Sequence, residues 1–155
     1  MADSIALTIG SKFDFIEIVG SVTKGFADLA GFDEDAANWI ELAIREAVIN
    51  AVKHGNRHAT ELPVDIVYTL DRGTLIIDVR DRGAGFDPST VPDPLDPKNL
   101  LSPNGRGIFY MKSFMDDVAF SVHPDGGTIV RMTKCRTESD GTGKGETRSD
   151  GPSDD

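Results

Sequence analysis

An acidic and an amide side chain, Glu46 and Asn50, stand four positions apart in a segment with helical periodicity. At 100° per residue they lie only about 40° apart around the helix axis, one turn from each other. A carboxylate can accept a proton from an attacking hydroxyl or water. An amide oxygen can bind Mg²⁺, which prefers oxygen ligands and keeps several waters. The alternative is a solvated helix face on which Glu46 pairs with Lys53.

A second candidate segment, Asp81-Arg82-Gly83-Ala84-Gly85-Phe86, directly follows a run with the alternation of a β-strand. The carboxylate of Asp81 can accept a hydrogen bond from an exocyclic amine such as that of adenine. Gly83 and Gly85 let the backbone approach a ligand closely or turn sharply. The alternative is an ordinary turn at the exit of a strand.

A third candidate segment, Asn104-Gly105-Arg106-Gly107-Ile108, opens a predicted helix. Helix N-termini bind phosphates through free N–H groups and the helix dipole, and Arg106 can add charge-assisted hydrogen bonds. A Gly-x-Gly pair before a helix is weak evidence alone. The sequence contains neither a Walker-type phosphate loop, nor a dinucleotide-binding glycine fingerprint, nor the motif set of eukaryotic protein kinases.

The elements that must position these segments form an α+β pattern. Apolar residues at helical spacing predict three helices, with Asp33 as the N-cap and Gly55 as the C-cap of the second, over about residues 15–29, 34–54 and 107–115. Alternating apolar residues predict strands over about residues 4–9, 64–70, 74–80, 117–123 and 128–135. A proline-rich loop over residues 87–104 is long enough to suggest a functional role.

The length of 155 residues suits one domain, predicted over residues 1–136 and followed by a disordered acidic tail over residues 137–155. The net charge of −10 disfavours a nucleic-acid partner, because phosphate backbones need a basic surface. Cys135 is the sole cysteine, so no internal disulfide is expected. Neither a signal peptide nor a membrane-spanning stretch is recognisable, which predicts a cytoplasmic protein without membrane contact.

In order and combination, the three segments resemble the motifs of the GHKL superfamily of Bergerat-fold ATP-binding domains. The run Glu46-Ala-Val-Ile-Asn50-Ala-Val-Lys-His54-Gly55 is similar to the superfamily motif called the N box. The segments that begin at Asp81 and Asn104 are similar to its first and second glycine boxes. Gly127-Thr128 before the last strand also matches. The resemblance covers nearly everything up to residue 136. It implies a two-layer sandwich, with a mixed or antiparallel sheet covered by helices on one face.

The resemblance also implies ATP and Mg²⁺ as cofactors and a role for each site residue. Asn50 would coordinate magnesium, and Glu46 would be the general base or would orient the attacking hydroxyl. Asp81 would hold the adenine amine with help from Thr128. The remaining residues would contact the nucleotide through their backbone or face its phosphates: Gly83, Gly85, Gly105, Arg106 and Gly107. Residues 88–104 would form the ATP lid.

Within the superfamily, the chain looks closest to the anti-sigma factor serine/threonine kinases of bacterial partner switching. The likeness rests on the run from Phe86-Asp-Pro through Gly105-Arg-Gly-Ile-Phe, with its proline-rich stretch, and on the run Phe114-Met-Asp-Asp-Val118. It implies an ATP-dependent kinase that phosphorylates an anti-anti-sigma factor protein and sequesters a sigma factor. It also implies a homodimer, with Phe13, Phe15 or Phe26 at the interface or equally in the core.

Two other functions remain open from the sequence. A non-catalytic, nucleotide-gated protein-binding module would contain most of the same residues. The catalytic domain of a histidine kinase would need a phosphate-accepting histidine on a helical hairpin, and the three histidines do not lie on one: His54, His58 and His123.

Overall fold

The computed structural model describes residues 2–84 and 106–137, and their architecture is α+β. Within these residues five strands form one sheet in the order β1-β2-β3-β5-β4, and every neighbouring pair is antiparallel. The predicted fold class, with helices over one face of the sheet, is confirmed. The strands are β1 Asp3–Gly10, β2 Pro63–Asp71, β3 Thr74–Arg80, β4 Asp117–Val122 and β5 Thr128–Cys135.

The alternation of side chains along the strands decides which face of the sheet is covered. Successive residues of a strand point to opposite faces, so every second apolar residue can enter one core. The inward residues of the three central strands are buried: Val64, Ile66, Tyr68, Leu75, Ile77, Val79, Val130 and Met132. Their burial removes apolar area from water, at about 25 cal/mol per Å², and holds the helical layer on this face.

The helical layer consists of α1 Ile16–Leu29, α2 Glu34–Asn50 and α3 Arg106–Phe114, with a short 3₁₀ turn over Phe13–Phe15 before α1. α2 packs against both other helices. Its N-terminus is capped as predicted, since Asp33 Oδ1 accepts a hydrogen bond from the backbone N–H of Ala36 at 2.7 Å. Gly31, with φ +88°, allows the sharp turn between α1 and α2.

The C-terminal end of the second helix differs from the prediction. α2 continues into a π-helical turn, Ala51–Gly55, and Asn56 is the cap residue, with its backbone N–H donating to the carbonyl of Ala51 at 2.8 Å. The predicted C-cap at Gly55 was therefore wrong. A β-carbon on Gly55 would lie 2.2 Å from Asp81 Oδ2, so the glycine is required by the close approach of Asp81, the residue after β3.

Several other sequence-based expectations can be compared with the described residues. Phe26 is a buried core residue, which excludes it from a dimer interface, whereas Phe13 is exposed and lies edge-on to His58. No helix in the described part of the chain is both long and apolar enough to cross a membrane. The predicted loop and lid over residues 87–104 lie outside the described residues, as does the predicted tail beyond Thr137.

Candidate functional site

The structure brings Glu46 and Asn50 of α2 together with Gly107 at the start of α3. A β-carbon on Gly107 would lie 2.9 Å from Glu46 Oε2, 3.4 Å from Asn50 Nδ2 and 3.7 Å from Asn50 Oδ1. The absence of a side chain at Gly107 therefore lets the first turn of α3 approach both polar groups. A carboxylate, an amide and the N-terminus of a helix, whose first N–H groups have no partner within the helix, meet at this point.

The environment of Glu46 differs from that of a solvated helix face. The side chain is half-buried, and this burial raises the pKa of its carboxyl group above the ordinary value. Lys53 is exposed and forms no ion pair with Glu46, so the alternative pairing considered from the sequence is absent. A carboxylate with a raised pKa holds a proton more readily than an exposed one, which suits a proton acceptor.

The raised pKa of Glu46 predicts a pH-dependent effect of Glu46→Gln on stability. Because the folded pKa lies above the unfolded one, the stabilising contribution of Glu46 is complete below about pH 4.5 and is lost as the pH rises through the raised value. We expect equal melting temperatures for the two proteins below pH 4.5 and a higher one for Glu46→Gln at neutral pH. Thermal unfolding across pH measures this, and a variant less stable at neutral pH would contradict it.

The second part of the site surrounds Asp81, which follows β3 and is only 5% exposed. Its Oδ1 accepts backbone hydrogen bonds from Gly83 at 3.0 Å and from Thr128 at 3.1 Å. The backbone N–H of Asp81 donates in turn to the carbonyl of Thr128 at 3.1 Å. No donor from the described part of the chain reaches Oδ2, which lies beside Gly55. Within the described residues, Oδ2 is left available to accept a hydrogen bond from a ligand.

The glycines near Asp81 allow three backbone segments to pass within contact distance. A β-carbon on Gly83 would lie 2.0 Å from the carbonyl oxygen of Gly55, and one on Gly127 would lie 1.9 Å from that of Asp81. Gly127 also has φ +91°, a backbone conformation that favours glycine. The end of the π-helical turn, the β3 exit and the β5 entry are thus packed backbone to backbone around one carboxylate.

Sequence reasoning missed Asn56, which is 2% exposed and whose side chain hydrogen-bonds to several segments around Asp81. Its Nδ2 donates to Ser11 Oγ at 2.8 Å and to the carbonyl of Pro63 at 3.0 Å, while its Oδ1 accepts from the backbone N–H of Arg82 at 2.6 Å. One amide therefore ties the residue after the π-helical turn to the chain after β1, to β2 and to the turn that follows Asp81. Its position directly after Gly55 was the only available signal.

Asn56→Ala is expected to destabilise the fold. The substitution leaves the N–H of Arg82 and the acceptors on Ser11 and Pro63 without their partner, at about 1–3 kcal/mol for each buried group left unpaired. Urea unfolding measures the loss. Asn38→Ala is the control, since Asn38 is a partly exposed residue of α2 that donates to none of these groups. A loss no larger than in the control would contradict this role.

The opposite face of the sheet carries a groove that is unrelated to these residues. Asp65, Asp78, Arg80 and Arg131 contribute to its lining. Its acidic groups are already paired, since Asp78 accepts two hydrogen bonds from Arg131, at 2.8 and 2.9 Å, and Asp65 pairs with Arg82. The groove lies across the sheet from Glu46 and Asn50, so it does not contribute to their site.

Not every predicted site residue is described. Gly85 and Gly105 lie outside the described residues, and Arg106 is described only as the first residue of α3. Thr128 contacts Asp81 through its backbone N–H, and Thr128 is itself only 5% exposed. Among the described residues no group of three or more His, Cys, Asp or Glu side chains is arranged to hold a metal ion. A metal held by the side-chain oxygen of Asn50 would complete its coordination with oxygens of water or of a bound phosphate, which suits Mg²⁺.

The chain is similar over most of its length to proteins from two bacterial species. A serine-protein kinase RsbW from Listeria monocytogenes serotype 4a (strain HCC23) is 29% identical over 144 residues, covering 89% of this chain and 90% of that protein. A serine-protein kinase RsbW from Bacillus mycoides (strain KBAB4) is 30% identical over 138 residues, covering 85% of this chain and 84% of that protein.

The fold also matches a solved structure, the crystal structure of the RsbU and RsbW domains of Rv1364c from Mycobacterium tuberculosis. The TM-score is 0.62 at 19% identity, and the match covers 86% of this chain and 32% of that longer chain, so it supports the fold alone. The family model described as histidine kinase-like ATPase domain matches residues 15–134. The resemblance to GHKL domains is thereby confirmed, and the chain belongs to the histidine kinase-like ATPase domain family.

Proposed function

We propose that the protein is an ATP-dependent serine/threonine-protein kinase that requires Mg²⁺. The observation that carries this proposal is the meeting of Glu46, Asn50 and the N-terminus of α3 at Gly107. Phosphoryl transfer needs mainly positioning and neutralisation of charge, which the first turn of α3 and a Mg²⁺ ion held by Asn50 would supply. The similarity to two proteins named serine-protein kinase RsbW supports transfer to a serine or threonine hydroxyl.

The adenine base would bind at Asp81. Its Oδ2 would accept a hydrogen bond from the exocyclic amine, while Oδ1 stays held by the backbone N–H groups of Gly83 and Thr128. Gly55, which borders Asp81, is five positions after Asn50, at the end of the π-helical turn that continues α2. The nucleotide would therefore lie along the end of the helix. By resemblance, Gly85, Gly105 and Arg106 would also contact it.

The phosphates would lie at the first turn of α3, where the N–H groups have no partner within the helix and the helix dipole favours negative charge. The side-chain oxygen of Asn50 would hold Mg²⁺ on these phosphates. Bound magnesium supplies neutralisation of the charge on the phosphate oxygens.

Glu46 would act on the attacking hydroxyl. As the bond from the serine or threonine oxygen to the γ-phosphorus forms and the bond to the β-phosphate oxygen breaks, ADP leaves and the hydroxyl proton passes to the Glu46 carboxylate. The raised pKa of Glu46 favours acceptance of this proton. The half-buried position holds the carboxylate next to the α3 N-terminus, where the terminal phosphate would be.

The partner-switching role extends the proposal. We propose that the phosphate acceptor is a small anti-anti-sigma factor protein, and that the kinase also sequesters a sigma factor by direct binding. The two proteins would compete for one surface of the kinase. Unphosphorylated acceptor would release the sigma factor by mass action, and phosphorylation of the acceptor would reverse the release.

Transfer of labelled phosphate tests the proposed function. The purified protein is incubated with Mg²⁺, ATP labelled at the γ-phosphate and small anti-anti-sigma proteins of the same cell, added one at a time. We expect an acid-stable label on a serine or threonine of one of them. An acid-labile label on a histidine would indicate a histidine kinase, and no label despite ATP binding would indicate a nucleotide-gated binding module.

Asn50→Ala is expected to remove the dependence of ATP binding on Mg²⁺. The wild-type protein should bind ATP more tightly with Mg²⁺ than with EDTA, whereas the variant, which lacks the amide oxygen, should show the same weak affinity in both. Calorimetric titration measures the two affinities. Asn38→Ala on the same helix is the matched control, and full Mg²⁺ dependence in Asn50→Ala would assign the metal to another ligand.

A further inference from the structure

Three large apolar side chains are exposed together on the surface formed by α2 and α3. Trp39 is 47% exposed, Leu42 44% and Tyr110 41%. Trp39 stacks on Phe114, with ring centroids 4.6 Å apart and planes at 27°. Phe114 stacks on Tyr110 at 5.9 Å and 10°. We call these four residues the aromatic patch.

The composition of the aromatic patch is that of a protein-binding surface. Clustered exposed apolar groups are uncommon on monomers and mark interaction sites. Tryptophan and tyrosine are enriched among the residues that dominate binding energy at interfaces. Stacking of Trp39 and Tyr110 on Phe114 also limits their rotamers before any partner binds, which lowers the entropy lost on association.

The aromatic patch is continuous with the proposed transfer site. On α2, Trp39, Leu42 and Glu46 are spaced by three and four residues and lie within about 60° of one another around the axis. Leu42 is one turn from Glu46, about 6 Å along the helix. On α3, Tyr110 is one turn after Gly107, which borders Glu46. A protein bound on the patch would therefore have its adjacent side chains beside the Glu46 carboxylate.

We propose that the aromatic patch is the docking surface for the phosphate-accepting protein, and this inference rests on the proposed kinase function. The accepting protein would place apolar side chains on Trp39 and Leu42 and its serine or threonine hydroxyl at Glu46. On the same face of α2, Asp35 lies one turn before Trp39 and Glu46 lies one turn after Leu42, so a carboxylate borders the aromatic patch at each end. The docking segment is therefore apolar at its centre and carries no acidic residues at its edges.

A second copy of this chain fits the aromatic patch less well than the accepting protein does. A permanent copy-to-copy interface here would border Glu46 and would exclude the hydroxyl that has to reach this carboxylate. The patch must instead be covered and released in each cycle, which an interface of a few exposed side chains permits.

The single tryptophan of the chain, Trp39, allows a direct test by fluorescence. The full-length protein is titrated with each purified anti-anti-sigma protein, and the Trp39 emission is followed. In parallel, KM for the accepting protein, kcat and ATP affinity are measured for Trp39→Ala, Leu42→Ala and Leu29→Ala. Leu29 is the matched control, because it is 77% exposed at the end of α1 and lies outside the patch.

We expect the Trp39 emission to shift to shorter wavelength as the accepting protein binds. Trp39→Ala and Leu42→Ala should raise KM about tenfold, with kcat and ATP affinity changed less than about twofold, and Leu29→Ala should change none of them. Unchanged KM in both patch variants, or an emission shift caused by self-association without any partner, would overturn the inference while leaving the kinase function intact. Saturable binding that shifts Trp39 emission without transfer would overturn the kinase function but retain the docking surface.

Discussion

Glu46→Ala is expected to slow phosphate transfer by about 10²–10⁴-fold while ATP affinity stays within about twofold. The carboxylate would contact the attacking hydroxyl, so its loss removes proton acceptance in the transition state. The adenine and magnesium contacts belong to Asp81 and Asn50 and are left in place. Single-turnover transfer of labelled phosphate gives the rate, and calorimetric titration with ATP gives the affinity.

The matched control for this experiment is Glu61→Ala, because Glu61 is an exposed carboxylate in the loop before β2. Its transfer rate should equal that of the unchanged protein. If Glu46→Ala lost ATP affinity and transfer rate by the same factor, Glu46 would be a nucleotide-binding residue rather than a general base.

Asp81→Asn is expected to weaken ATP binding by about 10- to 150-fold, which corresponds to loss of one charge-assisted hydrogen bond of about 1.5–3 kcal/mol. The amide oxygen can still accept from the backbone N–H groups of Gly83 and Thr128, as Oδ1 does now. The amide NH₂ then replaces Oδ2 and presents a donor to the adenine amine, itself a donor. The same NH₂ suits the carbonyl oxygen of guanine, so the preference for ATP over GTP should fall.

Competition titrations of ATP and GTP measure this preference directly. Asp71→Asn is the control, since Asp71 is an exposed carboxylate at the end of β2. A proportional loss of affinity for both nucleotides would mean that Asp81 shapes the pocket without reading the base. The ratio of the two affinities, rather than either affinity alone, therefore carries the result.

The elements of the fold were predictable because their signals are local. The alternation of apolar residues predicted β3 over Thr74–Arg80, which are the bounds that the structure has. Asp33 predicted the start of α2, because its side chain can cap a helix N-terminus, as it does here. The pairing of Glu46 with Asn50 followed from helical spacing alone. The order of the three segments along the chain predicted the family. The family model, which matches residues 15–134, confirms this prediction.

The features that sequence reasoning missed depend on contacts between distant segments. Gly55 resembled a C-cap because glycine commonly ends helices, but its lack of a side chain is needed for contact with Asp81. Asn56 makes its hydrogen bonds to Ser11, Pro63 and Arg82, which belong to three other parts of the chain. The partner of Trp39 is a ring on another helix. Periodicity along one element contains no information about these partners.

The most direct test of the site is a crystal structure of the protein grown with Mg²⁺ and a non-hydrolysable ATP analogue. We expect the adenine amine to donate to Asp81 Oδ2, Mg²⁺ to be coordinated by Asn50 Oδ1, and the terminal phosphate to face the first turn of α3 beside Glu46. A nucleotide bound elsewhere, such as the groove on the opposite face of the sheet, or a metal held by Glu46 instead of Asn50, would contradict the proposed roles.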